Sequence, residues 1–477
     1  MPKNSQRSQF PTTASAVHPA VDTTAAPPRF GRRYLIGVFL LLAVSVGYVD
    51  RINISVAAPA ISDTFHLSSA ARGVILSSFS WGYAAMMVPG GILLDRLGKR
   101  VVLPLFVCIW TIASVLTGAM TRFGTLIGIR VLLGIGEAPT YPTGNLVIRE
   151  WAPLRERGVF TSLMQSGSLF GPAVATAPAA LLVSGVGWRP SFFILGSLGV
   201  VWLVGWLVIY RPPESAWWLG ERERSFILAN RVTAAEAPGP AALPQAATVK
   251  MSLGSLLRQR SMIGLLLANG AQTYAAYFLL TWLPSYLVSN SRGFKLTAGG
   301  GLTSLMYAIA LVGAISLGYA SDRWWTPSVG ASRRGGRRKV VALLMVIGVV
   351  PLVFVPWISG AAGLVIAIAV TLMVVTTSIT LTFALTSDLI ADDTSSGRTF
   401  GLLSFGGQVF GLLAPLVTGV IVGAGGYTPV FLLTGALLLV GAAVVWVLPT
   451  RALQPAGQMS SMAGAPSPSV PVKGEVR

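Results

Sequence analysis

Four ionisable side chains fall where an otherwise apolar sequence is least able to hold them. Asp50 and Arg51 stand side by side in GYVDRINIS, after a charge-free run over residues 34–49. Arg130 and Glu137 stand seven residues apart in another apolar run. In a bilayer core each such charge costs at least about 2.5–3.5 kcal/mol, so four of them imply a use. Two guanidiniums and two carboxylates sum to zero while all are ionised. Burial disfavours the ionised acid, whereas arginine keeps its charge. With the acids protonated, the guanidiniums are free to form paired hydrogen bonds with an incoming carboxylate. Proton binding and anion binding then favour each other, which is the thermodynamic content of symport. On this chemistry Asp50 and Glu137 take the proton, and Arg51 and Arg130 take the anion.

The elements that carry these groups must be membrane helices. A helix over residues 34–49 is about 24 Å long, short of roughly 30 Å of hydrocarbon, so the crossing takes Asp50 and Arg51 in with it. The 477-residue chain has a mean hydropathy of +0.69 and only 11% charged residues; a soluble domain carries about 25%. Apolar runs of spanning length recur twelve times with Gly/Pro-rich joints, which means helices and not the short alternating strands of a barrel. The expected fold is an all-α integral membrane protein of twelve transmembrane helices in two six-helix halves. Residues 34–210 form the first half and 261–449 the second. Residues 1–33 and 450–477 are expected as disordered tails, and 211–260 as a central connection whose middle, AAEAPGPAALPQAA, is a flexible linker by composition.

Of the 35 Lys and Arg residues, 28 fall in the tails and in the loops on one side, which places both termini in the cytoplasm of a multi-pass, inner-membrane protein. That asymmetry accounts for the net charge of +19. RRGGRRK (residues 333–339) therefore reads as a topology signal near anionic lipid, not as a nucleic-acid site. Cys108 is the single cysteine, so there is no disulfide framework. No metal-ligand spacing or nucleophile elbow occurs, so no enzyme, metal or cofactor is expected.

Arg130 and Glu137 share a helix face about 10.5 Å apart along the axis, with Tyr141 one turn further on. Gly134 and Gly136 between them let a neighbour come close, and the first span is the expected neighbour. Tyr48, Gln165, Gln272, Tyr274 and Tyr277 are expected to line the cavity with them. Trp282 and Pro284 are expected to mark a helix break and an interfacial anchor.

GGILLDRLGKR after the second span is echoed by LGYASDR after the eighth. The first, through Gly91, Asp95, Arg96, Gly98, Lys99 and Arg100, resembles the loop motif of the major facilitator superfamily; Asp322 and Arg323 carry the echo. Within that superfamily the chain resembles the anion:cation symporters, whose bacterial members carry sugar acids. YVDRINISVAAPAI, SFSWGYAAMMVPGGILLDRLG, GIGEAPTYPTGNLVIREWAPLRERG and YFLLTWLPSYL carry that resemblance. It implies a substrate-facing Tyr83, substrate and proton roles for the Asp-Arg pair and the Arg/Glu of the fourth span, and a latch at the cytoplasmic span ends. Ser404 and Gln408 stand where many sugar-acid members have asparagines. The expectation is proton-coupled import of a small organic anion, a sugar acid or hydroxycarboxylate, by a monomer that needs no cofactor beyond the proton gradient. Its partners are that anion, protons and the lipid bilayer. An organophosphate antiporter wants a basic residue in each half, and spans seven to twelve hold no internal Lys or Arg. A non-transporting receptor has no need of buried acids beside buried arginines.

Overall fold

The computed structural model describes residues 31–231, 253–289, 292–321, 323, 330–390, 396–450 and 453. Helix α1 (Tyr34–Phe65) runs 32 residues, through Pro59, and stops at His66, whose left-handed φ of 52° lets its N–H reach Ser62 O. At about 1.5 Å per residue it is about 48 Å long, so Asp50 and Arg51 sit at mid-height. Helix α2 (Ser69–Leu97) is capped by Ser68, whose side chain accepts from the Ala71 N–H. It ends at Gly98, in the positive-φ conformation that glycine tolerates, and α3 (Lys99–Thr117) follows at once.

The expected fourth span is two helices, α4 (Phe123–Glu137) and α5 (Thr140–Trp151). Pro139 lacks an N–H and its ring crowds the carbonyl one turn back, so the ladder stops there. Next come α6 (Arg157–Val186), α7 (Trp188–Gly196), α8 (Leu198–Ile209), α9 (Glu221–Asn230), α10 (Leu253–Leu257) and α11 (Arg260–Val288). The chain continues through α12 (Leu296–Ala320), α13 (Gly330–Phe354), α14 (Ala361–Leu389), α15 (Ser396–Gly425) and α16 (Thr428–Val447).

Among the described residues ten helical segments are long and apolar enough to cross a membrane, with α7 and α8 acting as one. Helix α2 has the length, but its charge-free stretch over residues 73–94 is diluted by Ser, Gly, Tyr, Trp and Pro, and α4 and α5 are each too short. The helices before residue 210 pack on one another, α1 on α6 and α4 between α2 and α3; those after residue 260 do likewise. The two groups meet along α1–α11, α2–α15 and α6–α12.

The glycines of α4 serve different neighbours from the one expected. A Cβ on Gly134 would strike Phe79 O of α2, and one on Gly136 would come within 2.7 Å of the Trp110 backbone of α3. Helix α1 reaches α4 through its own glycine instead, since a Cβ at Gly47 would lie 3.0 Å from Glu137 Oε2. Gly134→Ala is expected to cost about 1–3 kcal/mol by overpacking and to lower the melting midpoint of the purified protein. Gly128→Ala, where a Cβ meets nothing within 4 Å, is the matched control and leaves the midpoint unchanged or raised.

The stretch just after Tyr210 is not loose. Glu223 of α9 accepts from the backbone N–H groups of Arg32 and Arg33, each at 3.0 Å. The Arg33 guanidinium bridges Glu156 at 2.7 Å and Glu223 at 2.8 Å. Hydrogen bonding to Glu156 raises the Arg33 pKa despite the opposing effect of burial. Trp218 stacks on Trp151 with 5.1 Å between centroids. The first part of the central connection, residues 211–231, is therefore docked against the first helical group, and Arg32 and Arg33, expected within a disordered tail, are tied down with it. A carboxylate at the start of α1 satisfies amides that would otherwise be orphaned. The AAEAPGPAALPQAA segment, residues 1–30 and residues 454–477 lie outside the described residues.

Candidate functional site

Helix α1 turns Tyr48 and Arg51 to one side, three residues apart and so on one face. Arg51 lies against three rings: its guanidinium carbon is 4.7 Å from the centroid of Tyr48, 4.2 Å from Phe79 and 5.4 Å from Tyr83. Phe79 and Tyr83 are one turn apart on α2 and form a platform that holds the charge. Arg51 Nε donates to Glu137 Oε2 at 3.0 Å and Nη2 donates to the same oxygen at 2.6 Å, while Oε1 has no hydrogen-bond partner. Nη1 donates to Tyr277 Oη at 3.2 Å, and Tyr277 in turn donates to Gln408 Oε1 at 3.1 Å. A polar chain thus runs from α4 through α1 to α11 and α15, crossing between the two helical groups.

Asp50, one residue earlier, points elsewhere because successive helical residues are about 100° apart. Its Oδ1 accepts from Ser114 Oγ of α3 at 2.5 Å, and its Oδ2 has no partner. Arg130 on α4 leaves Nε and Nη1 without hydrogen-bond partners and forms no ion pair among the described residues. Its guanidinium lies 5.7 Å from the Phe79 centroid. All four charged groups are buried, the most exposed being Arg51 at 7%. They face protein, not lipid. The site therefore holds one ion pair, Arg51–Glu137, in which a single carboxylate oxygen takes both hydrogen bonds, beside an arginine and an acid that each have polar atoms to spare.

Beside Arg51 and Glu137 a narrow cleft of about 10 Å³ is walled by Tyr48, Tyr83 and Tyr141. Trp110 and Thr140 also line it, and each presents a buried polar atom without a partner. Neither was expected from the sequence. Trp110 is one turn from Ser114, so α3 offers both on one face. In the sequence the third span reads as plain apolar helix, with nothing but that i, i+4 pair to single them out.

The remaining expected residues divide. Gln165 is exposed on α6; eleven residues, about three turns, separate it from Thr176, whose carbonyl faces Gly300 of α12. It therefore looks into the space between α6 and α12. Ser404 is half-buried one turn before Gln408 on α15. Gln272 does not reach the cleft. It is fully buried and exchanges hydrogen bonds with Thr382 of α14, its Nε2 also touching Met345 of α13. Five residues before Tyr277 put it about 140° round the helix, which is why it faces inward. Tyr274 is likewise buried, packed with Ala414, Phe410 and Leu433. Helix α11 also runs unbroken through Pro284, and Trp282 is wholly buried instead of anchoring at an interface.

Among the described residues the helical groups touch tightly at the end that holds Gly73 and Gly419. Cβ atoms on Gly73 and Gly419 would lie 2.6 Å from Pro415 O and Ser69 O, so α2 and α15 meet there backbone to backbone. At the same end Ser304 Oγ accepts from the Ala177 N–H at 3.0 Å, joining α12 to α6. At the opposite end Gly91 meets nothing within 4 Å and Gly98 turns the chain. Asp95, Arg96, Arg100 and Arg323 are exposed there, and Lys99 pairs with Glu150 at 3.2 Å. Asp322 lies outside the described residues.

The chain is 29% identical over 427 residues to a D-galactonate transporter of Escherichia coli O6:H1 (strain CFT073), covering 86% of this chain and 94% of that protein. It is 28% identical over 403 residues to a hexuronate transporter of Bacillus subtilis (strain 168), covering 84% and 90%. In architecture it matches a bacterial homologue of the human lysosomal transporter Spinster, in an inward-facing and occupied conformation, with a TM-score of 0.67. That match covers 87% of this chain and 96% of that one, and at 18% identity it speaks for the fold alone. Residues 40–392 match the model of the Major Facilitator Superfamily. An all-helical chain of two packed helical groups, which matches that model over most of its length, belongs to the Major Facilitator Superfamily, a family of membrane transporters and not of enzymes.

Proposed function

We propose that this protein imports a sugar acid or a related hydroxycarboxylate together with protons, by alternating access, across a bacterial inner membrane. The observation that carries the reading is the Arg51–Glu137 ion pair at 2.6 Å, which Arg51 extends by a hydrogen bond to Tyr277, and through it to Gln408, in the other helical group. While Glu137 is ionised it occupies the guanidinium edge that a substrate carboxylate needs. A proton on Glu137 releases that edge, so anion and proton bind together. Asp50 and Arg130, each with unpartnered polar atoms, supply a second acid and a second cation. Tyr277, Gln408 and Ser404 offer neutral hydrogen-bonding groups suited to hydroxyls, and no Lys or Arg joins them on that side, which speaks against an organophosphate antiporter. The relatives named above carry galactonate and hexuronates, and others carry galactarate and D-glucarate by their names; all are polyhydroxy acids.

This reading includes twelve membrane crossings, with α2 and the α4–α5 pair added to the ten apolar segments. It also places both termini in the cytoplasm and takes the protein as a monomer that uses no cofactor beyond the proton gradient. The closed end, next to His66 and Gly425, is then the outer one, and the conformation is inward-facing. Asp95 and Arg96 then stand disengaged at the open inner end, as a latch for the opposite conformation would.

A thermal-shift screen of purified protein against aldonates, uronates, aldarates and aromatic acids tests the substrate class. Sugar acids are expected to raise the midpoint more at acidic than at alkaline pH. Stabilisation by aromatic acids or phosphate esters alone would overturn the assignment.

A further inference from the structure

Arg72 is unlike the other half-buried arginines at the closed end. Arg189 donates to Gly118 O and Met120 O, and Arg292 donates to Tyr286 Oη and to Val355, Pro356 and Ile358 carbonyls. Both are committed to holding loops. Arg72 spends only Nε, on Ser62 Oγ at 2.8 Å. Its Nη groups bond no described protein atom, and it forms no ion pair among the described residues. It sits in the first turn of α2, where a cation opposes the helix dipole, so helix stability does not account for it. The niche around it is lined by Ile54, Ile61, Ile75 and Leu76 together with Ser62, and Asp63 and Tyr427 are the titratable groups near enough to act on it, neither of them bonded to it. Its open face is covered from the other helical group by the Trp282 ring, 5.9 Å from the guanidinium carbon. Phe79 follows Arg72 by seven residues on the same face, about 10.5 Å along the axis, and Phe79 is the platform under Arg51.

We propose that Arg72 is an outer subsite for the substrate carboxylate. With the outer end open, it attracts and first holds the anion two turns above Arg51. On closure the Trp282 ring takes the place of the carboxylate over the guanidinium, so the cation is covered without an ion pair to break. The proposal rests on the import reading and on its orientation. It concerns only capture from outside, so the two fail separately.

The test is uptake into vesicles holding the full-length protein in one orientation. Arg72→Gln is expected to raise the outer half-saturation concentration about tenfold and to flatten its dependence on ionic strength, the signature of lost steering. Arg72→Lys is expected to stay within about twofold of wild type, because steering needs the charge and not the fork. Substrate-induced stabilisation of the detergent-purified, inward-facing protein is expected to be the same in all three. A wild-type half-saturation and salt dependence in Arg72→Gln would overturn the subsite. Failure of the wild type to take up any sugar acid would overturn the import reading instead. Should Arg72→Gln not reach the membrane, Arg72→Cys in a Cys108→Ser background carries the same test. A cationic aminoethyl thiol reagent is expected to restore outer affinity and an anionic sulfonate reagent to lower it further; equal effects of the two reagents would overturn the proposal.

Discussion

Glu137→Gln in reconstituted vesicles is expected to bind and exchange substrate yet to accumulate none under a pH gradient. The amide keeps the shape of the carboxyl and can still accept from Arg51, but it neither holds a full charge nor releases a proton. The Arg51 edge is then permanently open to an anion. Each unit of pH difference is worth about 1.4 kcal/mol, about tenfold in accumulation, for every proton carried with the substrate. The internal-to-external ratio should therefore fall to that of passive equilibration, while counterflow between labelled and unlabelled substrate persists. Removing one member of a buried pair strands the other, at a cost of about 3–5 kcal/mol. The unliganded variant should melt lower than wild type, and substrate should stabilise it more. Undiminished uptake under a pH gradient would remove Glu137 from the coupling.

Arg51→Lys gives the other large effect, through geometry and not charge. Arg51 reaches Glu137 with Nε and Nη2 and Tyr277 with Nη1, and it lies flat between three rings. A lysine has one nitrogen for all of these and no plane to stack. Losing even one hydrogen bond to a charged group costs about 1.5–3 kcal/mol, which converts to a roughly 10- to 150-fold weaker substrate affinity. Calorimetric titration or thermal-shift isotherms would read it. Wild-type affinity in the lysine variant would make Arg51–Glu137 a structural tie.

The charged part of this site was legible because its residues are costly where they are. Nothing in hydrocarbon excuses Asp50, Arg51, Arg130 or Glu137, so type and location alone singled them out, and the structure buries all four within the protein. Tyr277 stood out for the weaker reason that it is a polar group within an apolar run, and Gln408 only because it stands where resembling sugar-acid carriers have asparagine. Gln272 stood out as Tyr277 did and faces elsewhere, because a polar residue in a span also serves helix packing, and only the phase of the helix decides; Tyr274, one turn before Tyr277, shares its face and packs in the same cluster. Phe79, Trp110 and Ser114 were invisible for the opposite reason: their residue types fill any membrane helix, and their roles come from which charge lies beside them. Likewise Gly134 and Gly136 announced a close approach without naming the helix that makes it. The division of the fourth span at Pro139 could have been read from proline's missing donor. The docking of residues 211–231 could not, since Glu223 finds its partners about 190 positions away.

The glycine contacts that join α2 to α15 carry a consequence for turnover. Where Gly73 meets Pro415 and Gly419 meets Ser69, the mating surfaces are bare main chain already satisfied within its own helices. Parting them strands no donor, so the work of unzipping this strip is dispersion over a short contact, and the charge uncovered beside it, Arg72, is the one that the incoming anion meets. The energetic decision about when to reverse direction can then reside at the centre, with the occupant of Arg51, and need not be fought again at the rim.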